Sequence, residues 1–427
     1  RAFWLVHLFE AHSPWTAPPA RVTAARGDGY RAEIAEADSW LGRAARTAEL
    51  RGDTWIVVTG DHGESLGDHR ETTHGLFVYE STLDVPAVVW PAPRGESPGL
   101  RDGTFRLVDF PATAFALLGL PSEEAPGTGL AALGPGRKHG EAGGPRDGAP
   151  AAPVLFESLY GYLHHGWAPL RGLRQGDWKY VAAPEPELYH LTTDPGEREN
   201  VAALHPERTR ELAARLEDEI RRETAAPTAH AAESARIPLD EDARAALESL
   251  GYVTGDAGPP EIPPGDLPDP KDMAKVVLNL ERAQAALAAG QPEAALGLLR
   301  DAVSRDPRNK DLHHLMGLAH AAAGRPDWAV DSFRRALELP PHRNDRLPRF
   351  ELASCWIRLG HPERAEEELR TLLAEWPDDG TAWYHLGLAL EAQGRPDEAR
   401  EAWAAAVERE PEIQDAVNAS MEGSSPR

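Results

Sequence analysis

Asp61, His62, Gly63 and Glu64 follow directly on the strand-like run Thr54-Trp55-Ile56-Val57-Val58-Thr59, and His74-Gly75 lies a short way downstream. A carboxylate and an imidazole therefore stand at the C-terminal edge of an apolar strand, the edge at which open α/β sheets bind their ligands. Asp with His is a donor pair suited to a divalent cation. A second imidazole nearby, His74, can serve an oxyanion. Taken alone, Asp-His-Gly reads equally well as a strand-terminating turn with Asp61 as its cap and Gly63 at positive φ.

The elements that must position these residues alternate. Phe3 to Phe9 reads as a buried strand carrying a buried His7, and Tyr30 to Leu50 as a helix, with Ile34, Ala37, Leu41, Ala44 and Ala48 at helical spacing. Val85 to Trp90 is a second short strand, and Phe105 to Leu118 is helical after its first residues. This order predicts a largely parallel sheet covered by helices. Residues 121–153, rich in Pro, Gly and Ala, read as a loop insertion. A strand is predicted at Val154 to Ser158, a hairpin from Leu170 to Ala182 turning near Gln175-Gly176-Asp177, a strand from Glu187 to Leu191, and a polar helix from Pro206 to Glu223. Residues 223–272 read as a linker, with a short helix from Asp240 to Leu250 and a stiff, extended stretch from Pro259 to Pro270.

From Val276 the chain repeats. Gly290-Gln291-Pro292, Gly324-Arg325-Pro326, Gly360-His361-Pro362 and Gly394-Arg395-Pro396 mark turns spaced by 34, 36 and 34 residues. Small residues recur in phase: Ala283, Ala295 and Ala302; Gly317, Ala329 and Ala336; Ala353 and Ala365; Gly387, Ala399 and Ala406. The pattern resembles the tetratricopeptide (TPR) repeat and predicts four helical hairpins over 273–413, followed by a tail, 414–427. His314, Phe350, Arg358 and Tyr384 are placed on the inner helices, toward a groove for a protein or peptide.

The first half carries a second resemblance. The run D-H-G-E-S-L-G-D-H…H-G-L-F-V-Y-E-S-T-L-D-V-P from Asp61 to Pro86, the His12 context, Val108-Asp109-Phe110-Pro111, and Glu187-Leu188-Tyr189-His190-Leu191…Asp194-Pro195…Glu197…Asn200 resemble motifs of the sulfatase family, within the alkaline phosphatase superfamily. The resemblance covers residues 1–222 and implies the later portion of an α/β catalytic domain. It implies that Asp61 and His62 ligate a divalent metal, Ca2+ ahead of Mn2+ or Mg2+. It implies that His12 and His74 contact the sulfate or the leaving-group oxygen, with His74 standing where many members carry Lys. His69 and Glu64 read as supporting residues. The family's nucleophile, a formylglycine made in a C/S-x-P-x-R motif, finds no match here, and no paired Asp cluster precedes the site. The nucleophile and further ligands are therefore expected upstream. A phosphodiesterase or phosphonate-ester hydrolase of the same superfamily, and a non-catalytic TPR scaffold with a degenerate hydrolase domain, are the competing readings.

Composition bounds the rest. The chain has 427 residues and a net charge of −24, which argues against a nucleic-acid binder. Cys355, the single cysteine, excludes an intrachain disulfide. No apolar run approaches a membrane span. The chain opens at Arg1 inside a strand-like run, as expected of a fragment. The expected partners are a sulfated small molecule or glycan and a protein or peptide, and the family resemblance implies a periplasmic or extracytoplasmic setting.

Overall fold

The computed structural model describes residues 3–8, 11–12, 15–51, 54–91, 99–101, 104–121, 136–137, 153–225, 267–339 and 345–423. The predicted helix from Asp240 to Leu250, nearly all of the loop insertion, and the proline-rich stretch up to residue 266 lie outside them. Two compact units emerge: one formed by residues 1–151, 157–170 and 268–427, the other by residues 152–156 and 171–267.

In the first unit, α1 (Pro19–Ala24) and α2 (Gly29–Arg51) precede β1 (Ile56–Thr59). The helical periodicity across residues 30–50 is thus realised within one turn of its predicted ends. After β1 come the short α3 (Glu80–Leu83) and β2 (Ala87–Trp90). β1 and β2 pair antiparallel, Ile56 opposite Trp90 and Thr59 opposite Ala87. The expected parallel sheet is not formed by these strands, because α3 and its turn return the chain alongside β1 in the reverse direction. β3 (Leu100–Arg101) and β4 (Gly136–Arg137) form a second antiparallel pair. The predicted strand from Phe3 is also corrected. Residues 3–8 form no regular structure, Trp4 is 83% exposed and His7 is exposed. A strand needs a neighbour to satisfy its backbone, and no described strand pairs with this run.

α4 (Phe110–Leu118) begins at a locked corner. Arg106 donates through its amide (2.9 Å) and guanidinium (2.9 and 3.0 Å) to Asp109, whose side chain is fully buried, and Thr113 Oγ1 donates to the Asp109 carbonyl. The Val-Asp-x-Pro signature is thus a helix start built on a desolvated ion pair.

The second unit carries a sheet of order β5-β6-β7-β8, made of β5 (Val154–Ser158), β6 (Leu170–Gln175), β7 (Trp178–Ala182) and β8 (Glu187–His190). Gly176 turns the β6–β7 hairpin at φ +61°. Leu173, Tyr180 and Leu188 pack with Leu212 and Leu216 of α5 (Pro206–Ala225). The polar signature after β8 is structural. Asp194 accepts the Arg198 and Glu199 amides, Glu197 pairs with the buried Lys179 at 2.7 Å, and Asn200 Oδ1 accepts the Leu188 amide.

The repeat array, in the first unit, is four hairpins: α6 (Ala274–Ala288) with α7 (Pro292–Arg305), α8 (Lys310–Ala322) with α9 (Pro326–Glu338), α10 (Arg346–Arg358) with α11 (Pro362–Glu375), and α12 (Gly380–Ala392) with α13 (Pro396–Arg409). Each turn glycine sits at φ +70° to +75°, where a side chain would be strained, and the following Pro enters the second helix at its first turn. The in-phase small residues are fully buried where paired helices touch. Residues 414–423, expected as a tail, form α14 (Gln414–Gly423) with Val417 buried in the array core.

The closest helix approach yields a sharp contrast. A Cβ on Gly387 would lie 2.2 Å from Trp403 Nε1, whereas one on the exposed Gly297 meets nothing within 4 Å. Gly387→Ala is expected to destabilise the array by about 1–3 kcal/mol through overpacking. Gly297→Ala should stabilise it by about 0.5–1 kcal/mol. Urea unfolding of both variants measures the difference.

Candidate active site

β1 delivers the chain to Gly60 and Asp61, and the segment then packs against the turn before β2. The Gly63 amide donates to the Thr82 carbonyl at 2.8 Å, and a Cβ on Gly63 would lie 2.6 Å from the Ser81 carbonyl oxygen. Gly63 is therefore required for close approach, and the positive φ expected of it is not adopted.

The four residues singled out in the sequence come together. The His62 and His74 rings stack with centroids 3.9 Å apart, and His12 meets His74 edge-on at 5.0 Å. Asp61 Oδ1 accepts the His62 amide at 3.0 Å, Asp61 Oδ2 lies 3.7 Å from His62 Nε2, and the Asp61 side chain is 60% exposed. His74 Nδ1 lies 2.9 Å from Glu64 Oε1. The Glu64 side chain is only 5% exposed, and its Oε2 is buried without a hydrogen-bond partner. With Nδ1 turned to Glu64, Nε2 is the nitrogen His74 keeps for a ligand.

The turn carrying His74 is built around a residue that the sequence reading passed over. Glu71, buried, accepts the Leu76 (2.7 Å) and Phe77 (3.3 Å) amides and the Ser65 hydroxyl (2.9 Å). The Ser65 amide donates to the Thr73 carbonyl and the Gly67 amide to that of Glu71, both at 2.7 Å. Leu66, His69 and Arg70 all take positive φ, a concentration of backbone strain held by this network. His69 stacks on Tyr79 at 3.6 Å and takes no part in the imidazole cluster. No local pattern in the sequence around Glu71, which is followed by Thr72-Thr73-His74-Gly75, marked it for burial.

Asp61 and His62 offer one oxygen and one nitrogen donor to a cation. Among the described residues no three His, Cys, Asp or Glu side chains group as a metal site. The residues described thus fit part of a coordination shell and do not complete one. Cys355 is buried in the array, and burial pushes its thiol up to about 11, which leaves it no role as a nucleophile. The groove residues gather no chemistry either. His314 packs on Phe333, Phe350 on His385, and burial pushes both imidazoles down toward the neutral form.

The first unit thus carries an imidazole cluster at a strand end together with a helical repeat array. Residues 1–120 match the sulfatase family, and residues 280–344 and 357–415 match the tetratricopeptide repeat. The chain therefore joins a sulfatase-family segment to TPR repeats. It is 28% identical to arylsulfatase K of Bos taurus and 31% identical to that of Xenopus laevis, in each case over 44% of this chain and 35% of the relative. It is also 27% identical to the uncharacterized sulfatase YidJ of Escherichia coli (strain K12), over 38% of this chain and 31% of that protein. The chain thus spans about a third of the length of the curated relatives it matches. Among solved structures it is similar to the MamA protein (23% identity, TM-score 0.30, 33% of this chain and 75% of that one). It is likewise similar to YrrB, described as a TPR protein with an unusual peptide-binding site (20%, TM-score 0.32, 34% and 74%).

Burial raises the Glu71 carboxyl above its usual value of 4.5, against the lowering effect of Ser65, the Leu76 and Phe77 amides and His74. A carboxyl raised in the folded state contributes its stability below the usual value and loses it as pH rises through the raised one. Glu71→Gln removes that loss. Its stability relative to the parent should therefore rise as pH increases from 4 toward neutrality, read by urea unfolding across that range.

Proposed function

We propose that this chain carries part of the active site of a sulfatase-type hydrolase that cleaves sulfate esters of a small molecule or glycan, together with a TPR module that binds a protein or peptide. The observation that carries the reading is the convergence of Asp61, His62, His74 and His12 at the end of β1, inside the segment that matches the sulfatase family. Asp61 and His62 would hold a divalent cation, Ca2+ first. Such a cation, when bound, withdraws charge from the ester oxygens. His12 and His74 would contact the sulfate or give a proton to the departing alcohol, a role supported by the Glu64 carboxylate 2.9 Å from His74 Nδ1, which leaves Nε2 for the ligand. The nucleophile and the remaining ligands are assigned to residues other than those brought together here.

Two measurements test this. The 427-residue chain, given an aryl sulfate and Ca2+, is expected to show no turnover above buffer. Metal-dependent hydrolysis by it would overturn the assignment of the nucleophile elsewhere. In an enzyme that also carries the nucleophile, Asp61→Ala should lower kcat by about 1000-fold or more. Faster cleavage of a phosphate diester than of the matched sulfate would favour phosphoryl chemistry instead.

A further inference from the structure

We propose that the first helices of the repeat array are a positioning element of the candidate site: Glu281 and Asp306 hold, through Thr72 and the loop ending at Trp167, the turn that carries His74. The proposal rests on the reading of His74 as a site residue.

The contacts approach that turn from two sides. Thr72, two residues before His74, donates its hydroxyl to both carboxylate oxygens of Glu281 on α6, at 2.8 and 2.9 Å. On the other side, Ser158 Oγ donates to the Gly75 carbonyl, and the Tyr160 ring lies where a Cβ on Gly75 would come within 3.7 Å of it. Gly161 packs against Leu76, Trp167 and Pro270. The loop that begins at Tyr160 is in turn clamped by the array. Trp167 is fully buried, and its indole N–H donates to Asp306 Oδ2 at 2.7 Å. Asp306, also buried, is held by Asn309 Nδ2 at 3.0 Å. His165 Nδ1 stands 3.2 Å from Asp311 Oδ2, and the Ala168 amide donates to the Pro268 carbonyl.

The carboxylate at position 306 is not common to every repeat. The residue closing the second helix of each hairpin is Asp306, Leu339, Trp376 and Glu410 in turn. An acceptor is needed at position 306 because a buried indole N–H without one carries the full cost of its desolvation. Burial, with the charges of Asp311, Glu281 and Glu71, also pushes the Tyr160 phenol up, so it stays neutral between the array and the His74 turn.

The test uses the full chain with labelled histidines, reading the His74 ring resonances and hydrogen exchange over residues 72–79. Glu281→Ala should shift the His74 signals, as its stacking on His62 loosens, and speed exchange of that segment about three- to tenfold, the net worth of one ordinary hydrogen bond at an exposed position. Glu281→Gln keeps an acceptor and should restore both readouts. Trp167→Phe, which removes the indole donor, should give the same shift from the other side. Glu293→Ala, which removes only the pair with Arg325, should change neither. Unchanged His74 signals and exchange in Glu281→Ala and Trp167→Phe would overturn the proposal, as would equal changes in Glu293→Ala. Neither readout requires turnover, so the outcome is separate from that of the sulfatase assay.

Discussion

A buried carboxylate governs the site. Glu71 is buried away from solvent, and its oxygens are met by the Leu76 and Phe77 amides and the Ser65 hydroxyl. Satisfying it closes the chain between Ser65 and Phe77 into one fixed turn, and that turn places His74 over His62. The positive φ values at Leu66, His69 and Arg70 are tolerated because the same network over-determines the loop. Glu64, closer to the cluster, is satisfied only in part: one oxygen meets His74 and the other is buried without a hydrogen-bond partner. Buried acidic groups thus set the imidazole geometry, and the imidazoles in turn define what the site can bind.

The array obeys a different constraint, backbone approach. Gly317 and Gly387 lie where any Cβ would collide with Phe333 or Trp403, and the buried alanines permit the same closeness along each pair. Because these contacts join helices adjacent in sequence, the array is assembled from local pieces. The carboxylates at Glu281, Asp306 and Asp311 depart from that local logic, since they face residues 72, 167 and 165.

The repeat period, the turn glycines and the small buried residues were legible in the sequence because TPR packing is local: a residue type at a given phase faces its neighbour in every copy. The same holds for α2 and for the hairpin at Gly176, where periodicity or turn chemistry acts within a few residues. The sheet of the first unit was not legible in this way. Strand alternation predicts a parallel arrangement, yet β1 and β2 run antiparallel, since pairing direction is decided by the path between strands and not by their composition. The apolar run from Phe3 has strand-forming residues, but with no described strand beside it the run stays outside any ladder.

The site divides along the same line. Residue type and order marked Asp61, His62 and His74 as chemically suited to a metal and an oxyanion, because those properties belong to the side chains themselves, and the family resemblance of its context added His12. The roles of Glu71 and Glu64, the stacking of His62 on His74, and the grip of the repeat array on the His74 turn were decided only by tertiary structure. Each depends on which groups lose water together, and burial is a property of the assembled chain that no single stretch of sequence carries.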